Sequence, residues 1–295
     1  MTETPILSPQ TPAARLRAAI NSGQLVAAPG APDSLAARLV QQAGFPAVYM
    51  TGFGATAARL GAPDIGLLTL SEMADHARNM VRAVEIPVIA DADTGYGGPV
   101  NIRRTVREYV QAGVAALHLE DQVSPKRCGQ LAGIRLMEAE DSALRLQAVV
   151  AARGDDDLLI IGRTDALPAQ GIEAAIERAR RYADTGIDLV FVDGIKTVAE
   201  VEAVARHVPG RKVVSIVDGN DSTRLTHADM QEMGFAVVLY AVTTLFAAAR
   251  ATAEALAHLK SAGTPAGGLE AMSYAEFSEV VDLAEAQAFG ARFEP

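Results

Sequence analysis

The sequence predicts an α/β protein, a closed (β/α)8 barrel of the TIM barrel type, and three observations carry that prediction. One phrase recurs four times, as QQAGFPAVYMT, VQAGVAALHLED, ADTGIDLVFVD and QEMGFAVVLYA, each joining a helix end to a glycine and a short apolar run. Glycine closes a helix in the left-handed conformation, and a short, continuously apolar run suits a strand buried on both faces. Runs of this kind number eight along the chain. Segments with helical spacing of apolar residues separate them, as a barrel of alternating strands and helices requires.

In chain order the elements read as follows. Leu25–Ala28 is a first strand, followed by the helical segment SLAARLVQQAG, and Ala47–Thr51 is the second. LSEMADHARNMVRAV leads to Pro87–Asp91, and NIRRTVREYVQAG to Val114–Glu120. AEDSALRLQAVVAARG, IEAAIERARRYADTG and VAEVEAVARHV then alternate with Leu158–Arg163, Leu189–Asp193 and Val213–Val217. Val237–Tyr240 is the eighth strand, and FAAARATAEALAHLKSAG is the eighth helix. A glycine- and proline-containing break at Gly263–Gly268 divides residues 1–262, the barrel, from a helical extension over 263–295. Tyr274, Phe277, Val281 and Leu283 give that extension an apolar stripe, to be covered by its own barrel or by a neighbouring subunit. An open doubly wound sheet is the alternative architecture.

Composition excludes several classes of function. A net charge of −10 disfavours a polyanionic partner such as nucleic acid. The single cysteine rules out an internal disulfide and a cysteine-based zinc site, and fits a reducing cytoplasm. The opening MTETPILSPQTP lacks the basic start and apolar run of a secretory leader, and the longest nearly apolar stretch, Phe235–Ala249, falls short of the ~20 residues that cross a membrane.

Function in such a barrel belongs at the C-terminal ends of the strands. Those ends collect Thr51, Gly52, Asp91, Asp93, Glu120, Arg163, Asp165, Asp193 and Asp218. If the third strand runs on through Asp93, Asp91 and Asp93 share a face, and Glu120 joins them from the next strand. Acids converging without thiolate or imidazole suit a hard cation, Mg²⁺ or Mn²⁺. The five histidines show no metal-ligand spacing, and His118, on an apolar strand, reads as a satisfied core histidine.

The phrases PGAPDSLAARL, YMTGFGATAARLGAPDIGLLTLSE, IADADTGYGGPVNIRRTV, HLEDQVSPKRCGQLAG and GRTDA together resemble the isocitrate lyase and phosphoenolpyruvate mutase superfamily over essentially the whole chain. The nearest likeness is to its short lyase branch, which includes methylisocitrate lyase, dimethylmalate lyase and the petal death protein. The resemblance implies a Mg²⁺-dependent carbon–carbon lyase. Its eighth helix would be exchanged between subunits in a homotetramer, a dimer of dimers. It also implies that Asp91, Asp93 and Glu120, with Asp64 nearby, belong to the metal site. Thr51, Gly52 and Phe53 would cradle a substrate carboxylate, and Arg163 would clamp one. Cys128, in a loop of the KRCGH type absent from phosphonate-forming mutases, would protonate the departing carbanion, with Lys126 and Arg127 steadying its thiolate. Gly129, Gln130, Asp193 and Asp218 would complete the substrate pocket.

This chain departs from that pattern. Gln130 stands where lyases carry histidine, Ile134 where many carry lysine, Asp193 in place of glutamate, and Ser215 and Asp218 within a phrase that usually reads Asn-x-x-Glu-Gly. These changes predict a retained metal site and acid with a pocket retuned to another substrate. The expected reaction is cleavage of a 2-hydroxy dicarboxylate or substituted malate into an α-keto acid and a second acid. An oxaloacetate-type hydrolase or decarboxylase, a phosphonate mutase and a non-catalytic dicarboxylate binder are the alternatives. Tyr49, Tyr96 and a metal-bound water are the candidates for the base.

Overall fold

The structure, a computed structural model, describes residues 10–294, so the sequence reading of the opening segment for a leader falls almost wholly outside the described residues. Its first helix, α1 (Pro12–Asn21), was not among the segments read from periodicity. Thr11 caps it, accepting from the Ala14 N–H, and Ala13, Leu16 and Ile20 on one face are buried. Those residues join the cluster that fills the barrel, so α1 stoppers its N-terminal mouth.

Eight parallel strands follow: β1 (Val26–Ala31), β2 (Val48–Met50), β3 (Val88–Asp91), β4 (Ala116–Glu120), β5 (Leu159–Thr164), β6 (Leu189–Val192), β7 (Lys212–Ile216) and β8 (Phe235–Tyr240). They pair in sequence order, and β8 returns to β1 with Val26 opposite Val237, which closes the barrel. The expected eight runs are the observed eight strands, displaced by up to three residues at their ends. One displacement matters. The third strand stops at Asp91, and Asp93 takes φ 45°, a left-handed conformation, so the two acids do not sit on one continued strand. Aspartate enters that region more readily than most residues because its short side chain bonds locally. Here the Asp93 N–H donates to Asp91 Oδ1 at 2.9 Å.

The helices between strands are α2 (Ser34–Gln42), α3 (Gly52–Leu60), α4 (Leu70–Ala83), α5 (Pro99–Ala112), α6 (Ala139–Arg153), α7 (Ala166–Gln170), α8 (Ile172–Ala183), α9 (Val198–His207) and α10 (His227–Glu232). Thr69 and Glu72 form a reciprocal capping box on α4, and Thr197 with Glu200 does the same on α9, satisfying N–H groups that a helix start leaves unpaired. Side chains alternate across each strand. One set, including Ile89, Leu159, Ile161, Phe191, Val213 and Leu239, fills the barrel; the other packs against the helices.

The chain ends in α11 (Thr243–Ala262), α12 (Tyr274–Val280) and α13 (Leu283–Ala291). None of the twenty residues of α11 is buried in the single chain. In α12 only Val280 is buried, and the segment returns to the chain's own α2, where Arg38 donates to the Val280 carbonyl at 3.3 Å and pairs with Asp282. Among the described residues no helix is long and apolar enough to cross a membrane.

Candidate active site at the strand ends

A cavity of about 260 Å³ opens where the strands finish. Thr51 and Phe53 line it from the β2–α3 junction, Asp64 from the loop before α4, Asp91 from β3, Arg163 from β5, and Asp193 and Asp218 from beyond β6 and β7. Cys128, Gly129 and Gln130 close over it on the loop between β4 and α6. Gly52, Asp93 and Glu120 lie just behind this lining. Tyr49 is in the wall and Tyr96 is not.

Asp91 organises the acidic side of the cavity. Its Oδ2 accepts the Gly52 N–H at 3.2 Å, and a Cβ on Gly52 would stand 2.4 Å from the same oxygen, so the approach requires glycine. Burial raises the Asp91 pKa, but the fields of His118, Lys126 and Arg163 outweigh it and hold the carboxyl at about 2. Burial, with Asp91 and Asp64 close by, pushes Asp93 up to about 6 against the pull of Lys126. Burial also drives the Glu120 pKa well above its ordinary value, and both its carboxylate oxygens are buried without a hydrogen-bond partner. With the Arg163 guanidinium at 3.5 Å as its nearest counter-charge, an acid so buried calls for a proton or a cation.

Among the described residues, no three His, Cys, Asp or Glu side chains are gathered tightly enough to enclose a metal alone. The oxygen-only donors and the unpartnered Glu120 do fit a hard cation held by few carboxylates through its own waters, the mode Mg²⁺ prefers.

Arg163 is buried and saturated with acids. Its Nη2 lies 2.6 Å from Asp193, 2.9 Å from Asp165 and 3.5 Å from Glu120, and its Cζ lies 5.4 Å from the Phe191 ring centre. Asp165 is itself fixed, its N–H donating to Asp121 Oδ1 at 2.9 Å, while Asp121 also accepts from Thr164 and Tyr182. The sequence placed Asp165 at a strand end but offered nothing to reveal this buried support. Asp218, by contrast, is exposed and accepts from Thr243 at 2.7 Å.

Two expectations need correction. Lys126 does not attend the Cys128 thiolate: its Nζ lies 2.7 Å from Asp64 and 2.9 Å from Asp93. Paired acids that lack a cation draw a buried ammonium more strongly than a neutral thiol does. Cys128 is accordingly a thiol, which burial pushes up to about 11, with Asp193 and Asp64 reinforcing the rise. His118 is only half satisfied. Its Nε2 meets the Tyr49 hydroxyl at 2.9 Å, while Nδ1 lacks a hydrogen-bond partner and stands 3.7 Å from Asp91. Burial lowers its pKa to about 4, so the ring is neutral at pH 7.

A family model described as phosphoenolpyruvate phosphomutase matches residues 16–260. The chain belongs to the phosphoenolpyruvate mutase and isocitrate lyase superfamily. It is 38% identical to 2,3-dimethylmalate lyase of Eubacterium barkeri, over 92% of this chain and 94% of that one. It is 41% identical to the probable 2-methylisocitrate lyase 1 of Corynebacterium glutamicum, over 88% of this chain and 85% of the relative. The structure of oxaloacetate acetylhydrolase in complex with the inhibitor 3,3-difluorooxalacetate superposes with a TM-score of 0.90 at 36% identity, covering 96% of this chain and 98% of the other. Members of the superfamily depend on a metal ion.

Proposed function

We propose that the chain is a Mg²⁺-dependent carbon–carbon lyase that cleaves an alkyl-substituted malate into an α-keto acid and a second carboxylic acid. The observation that carries this reading is the pocket's charge inventory. Arg163 is the only cationic side chain lining the cavity among the described residues, beside Asp64, Asp91, Asp193 and Asp218, while Phe53, Val217, Val242 and Phe246 make an apolar part of its wall. The rings of Phe53 and Phe246 meet edge to face with centroids 6.1 Å apart. One guanidinium and one metal suit two carboxylates, and the apolar wall suits an alkyl substituent better than a third carboxylate.

Asp91, Asp93 and Glu120, with Asp64, would hold the cation, with Mn²⁺ as a substitute. When bound, it supplies Lewis-acid stabilisation of negative charge on the substrate's hydroxyl and carboxylate oxygens. Thr51, Gly52 and Phe53, at the start of α3, orient the carboxylate near that site. Arg163 anchors the other carboxylate, flanked by Asp193, and Gly129, Gln130 and Asp218 shape the remaining wall. The hydroxyl proton passes to a water in the cavity, C2 becomes a carbonyl as the C2–C3 bond breaks, and the electron pair of that bond passes into an enolate at C3. Cys128 protonates that carbon. A thiol kept neutral by burial is suited to wait as an acid at pH 7. Tyr49, whose phenol burial also keeps protonated and whose hydroxyl meets His118 Nε2 at 2.9 Å, is not a standing base.

The likeness to oxaloacetate acetylhydrolase favours one second reading, hydrolysis of an oxaloacetate-like substrate at the same centre. Product analysis separates the two over a panel of substituted malates, methylisocitrate and oxaloacetate, with EDTA and Cys128→Ser controls. Keto acid from an alkyl malate, lost with EDTA and with the serine variant, supports the lyase. Turnover of oxaloacetate alone, surviving the cysteine change, overturns it. The proposal extends to a cytoplasmic homotetramer with α11 exchanged between subunits, residues 1–262 forming the catalytic unit and 263–295 the extension. Its support is that no residue of α11 is buried in the single chain, although its first turn packs against the barrel.

A further inference from the structure

We propose that Gln122 is a positioning residue that ties the seating of the Cys128 loop to the orientation of Arg163. Gln122 stands at the neck of that loop, where it bridges Leu136 in antiparallel fashion. The Val123 N–H donates to the Arg135 carbonyl at 2.8 Å, and the Met137 N–H to the Asp121 carbonyl at 2.9 Å, which completes the neck.

The Gln122 side chain is 1% exposed, and both ends of its amide are engaged. Oε1 accepts the Arg127 N–H at 2.9 Å. Nε2 donates to the Arg127 carbonyl at 2.7 Å and to Asp165 Oδ2 at 3.0 Å. The direction of the amide follows from its partners, since an N–H needs oxygen and a carboxylate needs a donor; flipped, it would oppose like to like at all three contacts.

On its other oxygen, Asp165 holds Arg163, accepting from Nε at 3.2 Å and Nη2 at 2.9 Å. One buried amide therefore grips the loop backbone next to Cys128 and also the acid that aims the guanidinium. If the loop lifts, Gln122 loses two of its three partners, and Asp165 is left with an unanchored donor. The carboxylate clamp is then fully formed only while the proton donor is seated. Substrate anchoring and protonation become one event, which keeps water from the carbanion until the acid is in place. Glutamate in this position has the same shape but cannot donate and repels Asp165. Methionine fills the space and bonds to nothing.

The roles of Cys128 and Arg163 rest on the reading above, so the test includes arms that do not use turnover. The chain has one cysteine, so iodoacetamide incorporation reports loop seating without interference. Wild type, Gln122→Met and Gln122→Glu are compared at pH 7.5. Alkylation should accelerate on the order of tenfold in both variants, as expected when a closed state loses about one net hydrogen bond. On the best substituted malate, kcat should fall and KM should rise together, in assays run well below the melting temperature of each variant. Wild-type alkylation rates in both variants, or a lowered kcat with unchanged KM, would overturn the proposal. A third arm needs no variant: malonate, as a probe for Arg163, should slow deuterium exchange at the Arg127 amide, and unchanged exchange also overturns the coupling. If no malate is turned over, alkylation and exchange still decide it, so its failure is distinct from failure of the lyase reading.

Discussion

The Lys126 ammonium and the Asp93 carboxylate face each other at 2.9 Å, both buried, with Asp64 on the ammonium's other side at 2.7 Å. A loop lysine thus supplies positive charge among the acids expected to hold a metal. Removing one partner of a buried ion pair leaves the rest uncompensated, at a cost of roughly 3–5 kcal/mol. Lys126→Met should therefore melt well below wild type. Added Mg²⁺ should raise the melting temperature of the variant more than that of wild type, because a cation can then meet the freed carboxylates. Equal Mg²⁺ effects in a thermal-shift assay would contradict this.

Gly129 faces the acids around Arg163 so closely that an added Cβ would stand 2.3 Å from Asp193 Oδ2 and 2.8 Å from Asp165 Oδ1. Gly129→Ala should keep the loop from seating while the barrel stays intact. The expected result is a drop in kcat of about tenfold or more, as for a displaced catalytic group, with little change in urea midpoint. Steady-state kinetics beside a denaturation curve measures both.

Cys128 has two consequences for pH. As an acid it must be protonated, so its contribution to rate should persist to about pH 11, where its pKa lies. An alkaline limb near pH 8 that vanishes in Cys128→Ser would count against the assignment. For stability, the folded pKa is raised, so at alkaline pH the unfolded chain gives up this proton first. The stabilisation is complete below the unfolded value near 8.5 and is lost as pH rises toward 11, on the order of 3 kcal/mol. Urea midpoints of wild type should fall more between pH 8 and pH 10.5 than those of Cys128→Ala.

Arg163 forks between Asp165 and Asp193 and lies against Phe191, a geometry that an ammonium cannot reproduce. Arg163→Lys should keep the charge yet lose a carboxylate's bidentate anchor. A fall in kcat/KM of roughly 10²-fold or more is expected, with KM bearing much of it. A near-wild-type KM would show that Arg163 does not bind substrate.

Much of the barrel was legible because its signal is local. Each strand is a short apolar run, and four joints repeat a helix end, a glycine and such a run, as in VQAGVAALHLED. The convergence of Asp91, Arg163 and Asp193 followed, since strand ends in a closed barrel must share one mouth, whereas the Cys128 loop was placed there by the family resemblance. Other features depend on contacts between residues far apart in sequence. Nothing local assigns Lys126 to Asp64 rather than to its neighbour Cys128, and nothing local joins Asp165 to Asp121 and Gln122. The turn at Asp93 was missed because alternation along a strand was extended past the strand's end. The stopper α1 escaped notice because its apolar positions are mostly small alanines.

The burial that holds Cys128 as a thiol also bears on its life among oxidants. Peroxides and electrophiles attack thiolates, and at neutral pH this side chain offers almost none. The proposed catalytic acid is thus shielded by the same desolvation that would suit it to that task. Oxidative loss of the enzyme should follow loop opening rather than bulk peroxide concentration.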